Sequence, residues 1–156
     1  MKRVLLSCTL LALLLAPVRF VLAHCEVPCG IYDDQLRFVQ MLEDTKTIAK
    51  AGNQIGELAG KTDAQSVNQV TRWVATKEQH ATNTQHIIAQ YFMTQRIKAD
   101  KEGYDVKLKA AHAVMVSAMK TKQTSDPEAA HDLEHAILDF YRAYEGKDPE
   151  FHDHDH

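Results

Sequence analysis

The sequence predicts an all-α protein, an up-down four-helix bundle preceded by an irregular N-terminal segment. Three observations predict it. Apolar residues recur at steps of three and four through most of the chain. Asp, Gly and Pro fall between the periodic stretches, where helices start and stop. Aromatics make up only 7% of the chain, with 6 Gly and 4 Pro, which argues against a β-sandwich and against disorder.

The elements follow in order. Residues 1–23 are a different kind of sequence: Lys2, Arg3 and Arg19 with no acid, an apolar run from Val4 to Ala16, and small residues ending at Ala23. That is the pattern of a signal peptide, and the run is too short for a convincing membrane span. The product is therefore expected to be exported, periplasmic or extracellular, with no stable membrane association after cleavage. A lipid on Cys25 is disfavoured because His24 is not the small residue that such processing wants.

Asp33 or Asp34 can cap the first helix, with Leu36, Val39, Ile48, Gly52, Ile55 and Ala59 along its inward stripe and Gly60 as its stop. Thr62 or Asp63 starts a long second helix ending near Lys98, with Val67, Val70, Val74, Ala81, Ile88 and Tyr91 inward. A third runs from about Tyr104 to Lys120, with Leu108, Ala111, Met115 and Ala118 inward. The fourth opens at Asp126-Pro127, a cap followed by proline, with Ala130, Leu133, Ile137, Phe140 and Tyr144 as its stripe. Short connections make neighbours antiparallel, so residues 33–146 form the bundle. Residues 147–156 are a His/Asp-rich tail, expected to be disordered.

Charge narrows the function. Removing residues 1–23 leaves 15 basic and 21 acidic groups. A net-acidic chain does not concentrate positive charge against phosphates, so nucleic acid is not the expected partner.

The segment 24–32 carries the chemistry. Cys8 leaves with the signal, and the new start reads His24-Cys25-Glu26-Val27-Pro28-Cys29-Gly30-Ile31-Tyr32. Its donors are the liberated amine and imidazole of His24, the amide nitrogen of Cys25, and the thiolates of Cys25 and Cys29. Amine with amide, and amide with the Cys25 sulfur, each close a five-membered chelate ring, and Pro28 and Gly30 suit the tight turn that brings Cys29 to the fourth corner. Planar N and S donation favours Ni(II) or Cu(II) over tetrahedral zinc. Because thiolates reduce Cu(II), nickel is preferred, and the His24 imidazole can reach an axial position. The segment thus reads as an irregular N-terminal metal-binding hook. The same residues also allow a nickel or copper carrier without turnover, or a structural bundle with a Cys25–Cys29 disulfide closing a very small loop.

His24-Cys25-x-x-Pro28-Cys29-Gly30-x-Tyr32 resembles the N-terminal hook of the nickel superoxide dismutases, and the helical remainder to about residue 146 is similar in length and helix order. The resemblance implies one nickel ion per subunit, a four-helix bundle, a homohexamer, and disproportionation of superoxide to oxygen and hydrogen peroxide by Ni(II)/Ni(III) cycling. It implies His24, Cys25 and Cys29 as metal ligands and Tyr32 at the open face. It also implies Arg72, ahead of Lys77-Glu78-Gln79, as the arginine that orients the axial imidazole. The acidic partner of that imidazole comes from the first helix in the family. Here Gln40 stands at the ungapped position and Glu43 is the nearest downstream acid. The family often has proline where this chain has Asp34.

Other residues carry plainer readings. His131 and His135 lie four apart on one helix face without a visible third ligand. His80, His86 and His112 read as polar-face or packing residues, Trp73 as core or subunit contact, and Met41, Met93, Met115 and Met119 as packing.

Overall fold

The computed structural model describes residues 30–150. His24, Cys25 and Cys29, the rest of segment 1–29, and residues 151–156 lie outside the described residues, and with them the expected signal peptide, the expected hook ligands and the His-rich end of the tail.

Helix α1 spans Asp34–Glu57, α2 Ala64–His86, α3 Tyr104–Gln123 and α4 Glu128–Glu145. A ten-residue π-helix, Ile87–Arg96, continues α2 without a break. The described residues contain no strand. Each helix packs against its successor, and α4 closes against α1. This is the expected up-down four-helix bundle.

The caps explain the boundaries. Asp33 accepts a hydrogen bond from the Gln35 backbone N–H at 2.7 Å. Asp63 accepts from the N–H groups of Gln65 and Ser66 at 3.1 and 3.0 Å. Asp126 accepts from the N–H of Glu128 at 3.0 Å, beside Pro127. Each carboxylate satisfies donors that a first turn leaves without partners. At the far end of α4, Gly146 takes φ 73°, and its N–H returns to the Arg142 carbonyl at 2.9 Å. The end of α3 is closed differently: the buried Lys77 of α2 donates its Nζ to the carbonyls of Thr121 and Lys122.

The core centres on Phe38. Its ring stands 4.9 Å from Phe92, 5.3 Å from Phe140 and 4.9 Å from Tyr141. Each such pair contributes about 0.5–1.5 kcal/mol beyond area burial. Met41, Ile48, Ala81, Ile88, Val114, Leu133 and Ile137 extend the core along the bundle.

The inward register of α1 differs from the expectation. Phe38, Met41, Thr45, Ile48 and Gly52 face inward, whereas Leu36 is 54% exposed. Only Ile48 and Gly52 of the expected stripe are buried. The aromatic cluster sets this rotation, because a helical step of two residues turns a side chain by roughly 200°. The stripe expected on the second helix holds in its second half, at Ala81 of α2 and at Ile88 and Tyr91 of the π-helix. In the first half Val67 and Val74 are exposed, and the inward positions are Ser66 and Lys77. The α4 stripe of Ala130, Leu133, Ile137 and Phe140 is buried as expected.

Gly52 has a specific reason to be glycine. A Cβ there would lie 2.8 Å from the backbone oxygen of Ser125, so α1 and the start of α4 meet through this residue.

Candidate metal centre

Tyr32 stands near the start of the described residues, and the contacts behind it show how that position is held. The π-helix is the device. In π register the Ile97 N–H reaches the Phe92 carbonyl at 2.8 Å, five residues back. The same step stacks Arg96 on Tyr91, so that Arg96 Nη2 donates to the Tyr91 hydroxyl at 2.8 Å. Both then converge on the first turn of α1. The Tyr91 hydroxyl donates to Asp34 Oδ1 and stands 3.0 Å from the Tyr32 carbonyl. Arg96 Nε donates to Asp34 Oδ1 at 2.9 Å, and its Nη2 reaches the Tyr32 carbonyl at 3.4 Å. From α4, the Tyr144 hydroxyl donates to Asp34 Oδ2 at 2.9 Å. Asp34 thereby joins α1, the π-helix and α4 at one point, directly behind Tyr32.

The electrostatics agree with this wiring. Burial, followed by the hydrogen bond to Asp34, pushes both the Tyr91 and the Tyr144 phenols up from their ordinary value. Its hydrogen bond to Tyr91, with the Asp34 charge, holds the Arg96 proton more tightly than usual.

Tyr32 is 39% exposed, packed edge-on to Tyr91 with ring centroids 6.4 Å apart. The Arg37 guanidinium lies over the same ring, 4.9 Å from its centroid. The ring therefore contacts Tyr91 and Arg37 while Tyr32 stays partly exposed.

The structure does not bring Arg72 to this place. Asp34 of α1 is level with Tyr91, and Asp44 is level with His80, so α1 and α2 run antiparallel. Arg72 lies eight residues before His80, and Asp44 ten residues after Asp34. At about 1.5 Å per residue this puts Arg72 roughly 27 Å along the bundle from the Tyr32 end. It is exposed there. Gln40 is half-buried and Glu43 exposed.

A buried carboxylate does stand on that stretch of α1, and sequence reasoning missed it. Asp44 is buried, with Oδ1 2.6 Å from His80 Nδ1. Its Oδ2 accepts from Asn83 Nδ2 at 2.8 Å and from Thr84 Oγ1 at 3.3 Å. The available signal was positional: Asp44 falls three residues after Met41 and four before Ile48, where the helical period asks for an apolar residue. Asp34, Tyr91, Arg96 and Tyr144 were not singled out as a group either, because their convergence depends on the π register.

Among the described residues no group of three or more His, Cys, Asp or Glu side chains could hold a metal ion. Residues 24–29, shortly before the anchored Tyr32, carry one imidazole and two thiols in sequence, side chains of the type that suits nickel. No match was found among curated proteins or among solved structures. The family model for nickel-containing superoxide dismutase matches residues 19–147, a span that includes His24 to Tyr32, the Asp34 cluster and all four helices. The chain belongs to the nickel-containing superoxide dismutase family.

Proposed function

We propose that this nickel-dependent superoxide dismutase begins at His24 after removal of residues 1–23, and that its nickel is held by the His24 amine and imidazole, the Cys25 amide nitrogen and sulfur, and the Cys29 sulfur. Bound there, nickel supplies a one-electron couple between Ni(II) and Ni(III). The observation that carries the assignment is the junction of two features: a donor-rich hook in sequence and a clamped Tyr32 at its root.

The side chains divide the remaining work. Tyr32 presents its phenol at the mouth of the hook, where it holds substrate, peroxide or water by a hydrogen bond and narrows the entrance. The Asp34 cluster fixes the backbone from which that phenol projects. We carry the homohexamer over from the family. Within one chain Arg72 stands at the far end of α1 from Tyr32, so its guanidinium would serve the hook of a neighbouring copy. Export follows from the leader-like pattern of residues 1–23. Nickel must then load before the Cys25 and Cys29 thiols close on each other in an oxidising compartment.

The experiment is a comparison of two chains. One is processed at His24, and the other carries a single additional residue before it. Both are loaded with nickel and assayed for superoxide removal and for the paramagnetic signal of Ni(III). The added residue keeps every side chain and removes only the terminal amine geometry. It should abolish both readouts, and a fully active extended chain would refute the ligand set. A carrier without turnover would bind nickel in the processed form yet show neither signal nor activity.

A further inference from the structure

The substrate of this enzyme is an anion, yet the chain without residues 1–23 carries 15 basic against 21 acidic groups, a net charge of −6 with His neutral. The overall field opposes approach, so attraction has to come from a cation placed at the entrance. Three basic side chains stand near Tyr32 and its anchor, and their surroundings differ. Arg96 is paired with Asp34 at 2.9 Å and spends its donors on Tyr91 and the Tyr32 carbonyl, so its charge is neutralised inside the anchor. Lys107 lies over Tyr144, 5.4 Å from that ring, on the α3 side. Arg37 alone lies on Tyr32 itself. Among the described residues no carboxylate pairs with it, and its Nε is buried without an acceptor. An arginine kept in that state is not bracing the fold through an ion pair, since a buried N–H without a partner is destabilising.

We infer that Arg37 is the steering cation of the site: its unpaired guanidinium, stacked on Tyr32, raises the local concentration of superoxide at the hook and holds the Tyr32 ring in place. Stacking and steering use different properties of the side chain. The planar guanidinium supplies the contact with the ring. The net charge supplies the attraction, which reaches beyond contact distance and is screened by salt. Because Tyr32 projects from a backbone already clamped by Tyr91 and Arg96, the guanidinium has only the ring's orientation left to set. The inference rests on the dismutase reading and on the hook standing next to Tyr32.

The test uses processed, nickel-loaded protein as wild type, Arg37→Gln and Arg37→Lys, with nickel content and thermal melting measured for each. kcat/KM for superoxide is followed against ionic strength. Arg37→Gln should fall about threefold to tenfold below wild type at low salt, with a shallower salt dependence, and the two curves should converge at high salt. Arg37→Lys keeps the charge and should keep the wild-type salt dependence. A second readout does not depend on turnover: the affinity of azide, a small monovalent anion, followed through the Ni(III) paramagnetic signal. It should weaken in Arg37→Gln by a similar factor, again only at low salt. Wild-type and Arg37→Gln curves that run parallel at every salt concentration, or an unchanged azide affinity, would overturn the assignment. That failure is distinct from failure of the hook reading, which is signalled by an extended chain that stays active whatever stands at position 37.

Discussion

Tyr91 and Arg96 stand five residues apart, and the guanidinium of one donates to the phenol oxygen of the other at 2.8 Å. In an α-helix that spacing would swing the two side chains well apart. In the π-helix Ile87–Arg96 they stack, and together they meet Asp34 and the carbonyl of Tyr32. Local π geometry recurs at functional sites because it re-aims side chains. Here it aims two of them at the root of the segment that precedes the bundle.

Asp34 is the acceptor on which that arrangement depends. Substitution Asp34→Ala leaves the Tyr91 and Tyr144 hydroxyls and the Arg96 guanidinium without their shared partner. Loss of charge-assisted hydrogen bonds of this kind costs about 1.5–3 kcal/mol. The melting temperature should fall accordingly. Nickel should also be retained less well, because the proposed hook would then be tethered to a looser base. Asp34→Asn, which can still accept from one phenol, should lie between Ala and wild type. Thermal melting and metal content after dialysis check the order, and equal nickel retention in all three proteins would show that the anchor does not support the hook.

Gly52 gives a purely structural prediction. A methyl group at this position would meet a backbone oxygen at 2.8 Å, which no side-chain rotation can relieve. Gly52→Ala should therefore destabilise the protein by about 1–3 kcal/mol, despite the higher helix propensity of alanine. Gly56 lies in the same helix with nothing near its Cβ position. Gly56→Ala should be neutral or stabilising by up to about 1 kcal/mol. Denaturant unfolding of the two variants measures the contrast.

What could be read from the residues, and what could not, divides along physical lines. Helix ends were legible because Asp33, Asp63, Asp126 and Gly146 act through local hydrogen bonds that depend on a few neighbouring residues. The α4 stripe was legible because its inward positions are uniformly apolar. The rotation of α1 was not, since its inward face carries Asp44 and Thr45, while Leu36 turns outward. Those polar residues are paid for by partners on another helix, His80, Asn83 and Thr84, invisible to any local pattern. The ligand set proposed for residues 24–29 was read from the order of donor atoms along the backbone, and it lies outside the described residues. The Tyr32 anchor was hidden, because nothing in Ile87–Arg96 announces a change from α to π register. Arg72 was carried over by its neighbours in sequence, which say nothing of distance along the bundle: within a single chain it stands far from Tyr32.

The Asp44 network should be expensive to break. Removing the carboxylate in Asp44→Ala leaves a cavity beside Met41 and Ile48 and strips Thr84, which is fully buried, of an acceptor. About 3 kcal/mol of destabilisation is expected, within the range for breaking a buried charged network. His80→Ala should cost less, because Asn83 and Thr84 still hold the carboxylate and the histidine is partly exposed. A double-mutant cycle on Asp44 and His80 measures their coupling, and a coupling near zero would mean that the 2.6 Å contact contributes nothing.

Alkaline pH probes the anchor directly. Burial and the bond to Asp34 raise the Tyr144 phenol above its ordinary value of 10.0, and Tyr91 shifts in the same direction. The folded protein therefore keeps protons that the unfolded chain releases near pH 10. By linkage, the stability associated with these phenols is fully present below about pH 10 and is lost as pH rises through the folded values. Tyr144→Phe removes one of the two groups. It should be less stable than wild type at pH 8, having lost the 2.9 Å bond to Asp34, yet should lose stability less steeply between pH 10 and pH 11.5. Urea unfolding across that interval reads both effects. A variant whose slope above pH 10 equals that of wild type would show that Tyr144 holds its proton no more tightly in the folded protein than in the unfolded chain.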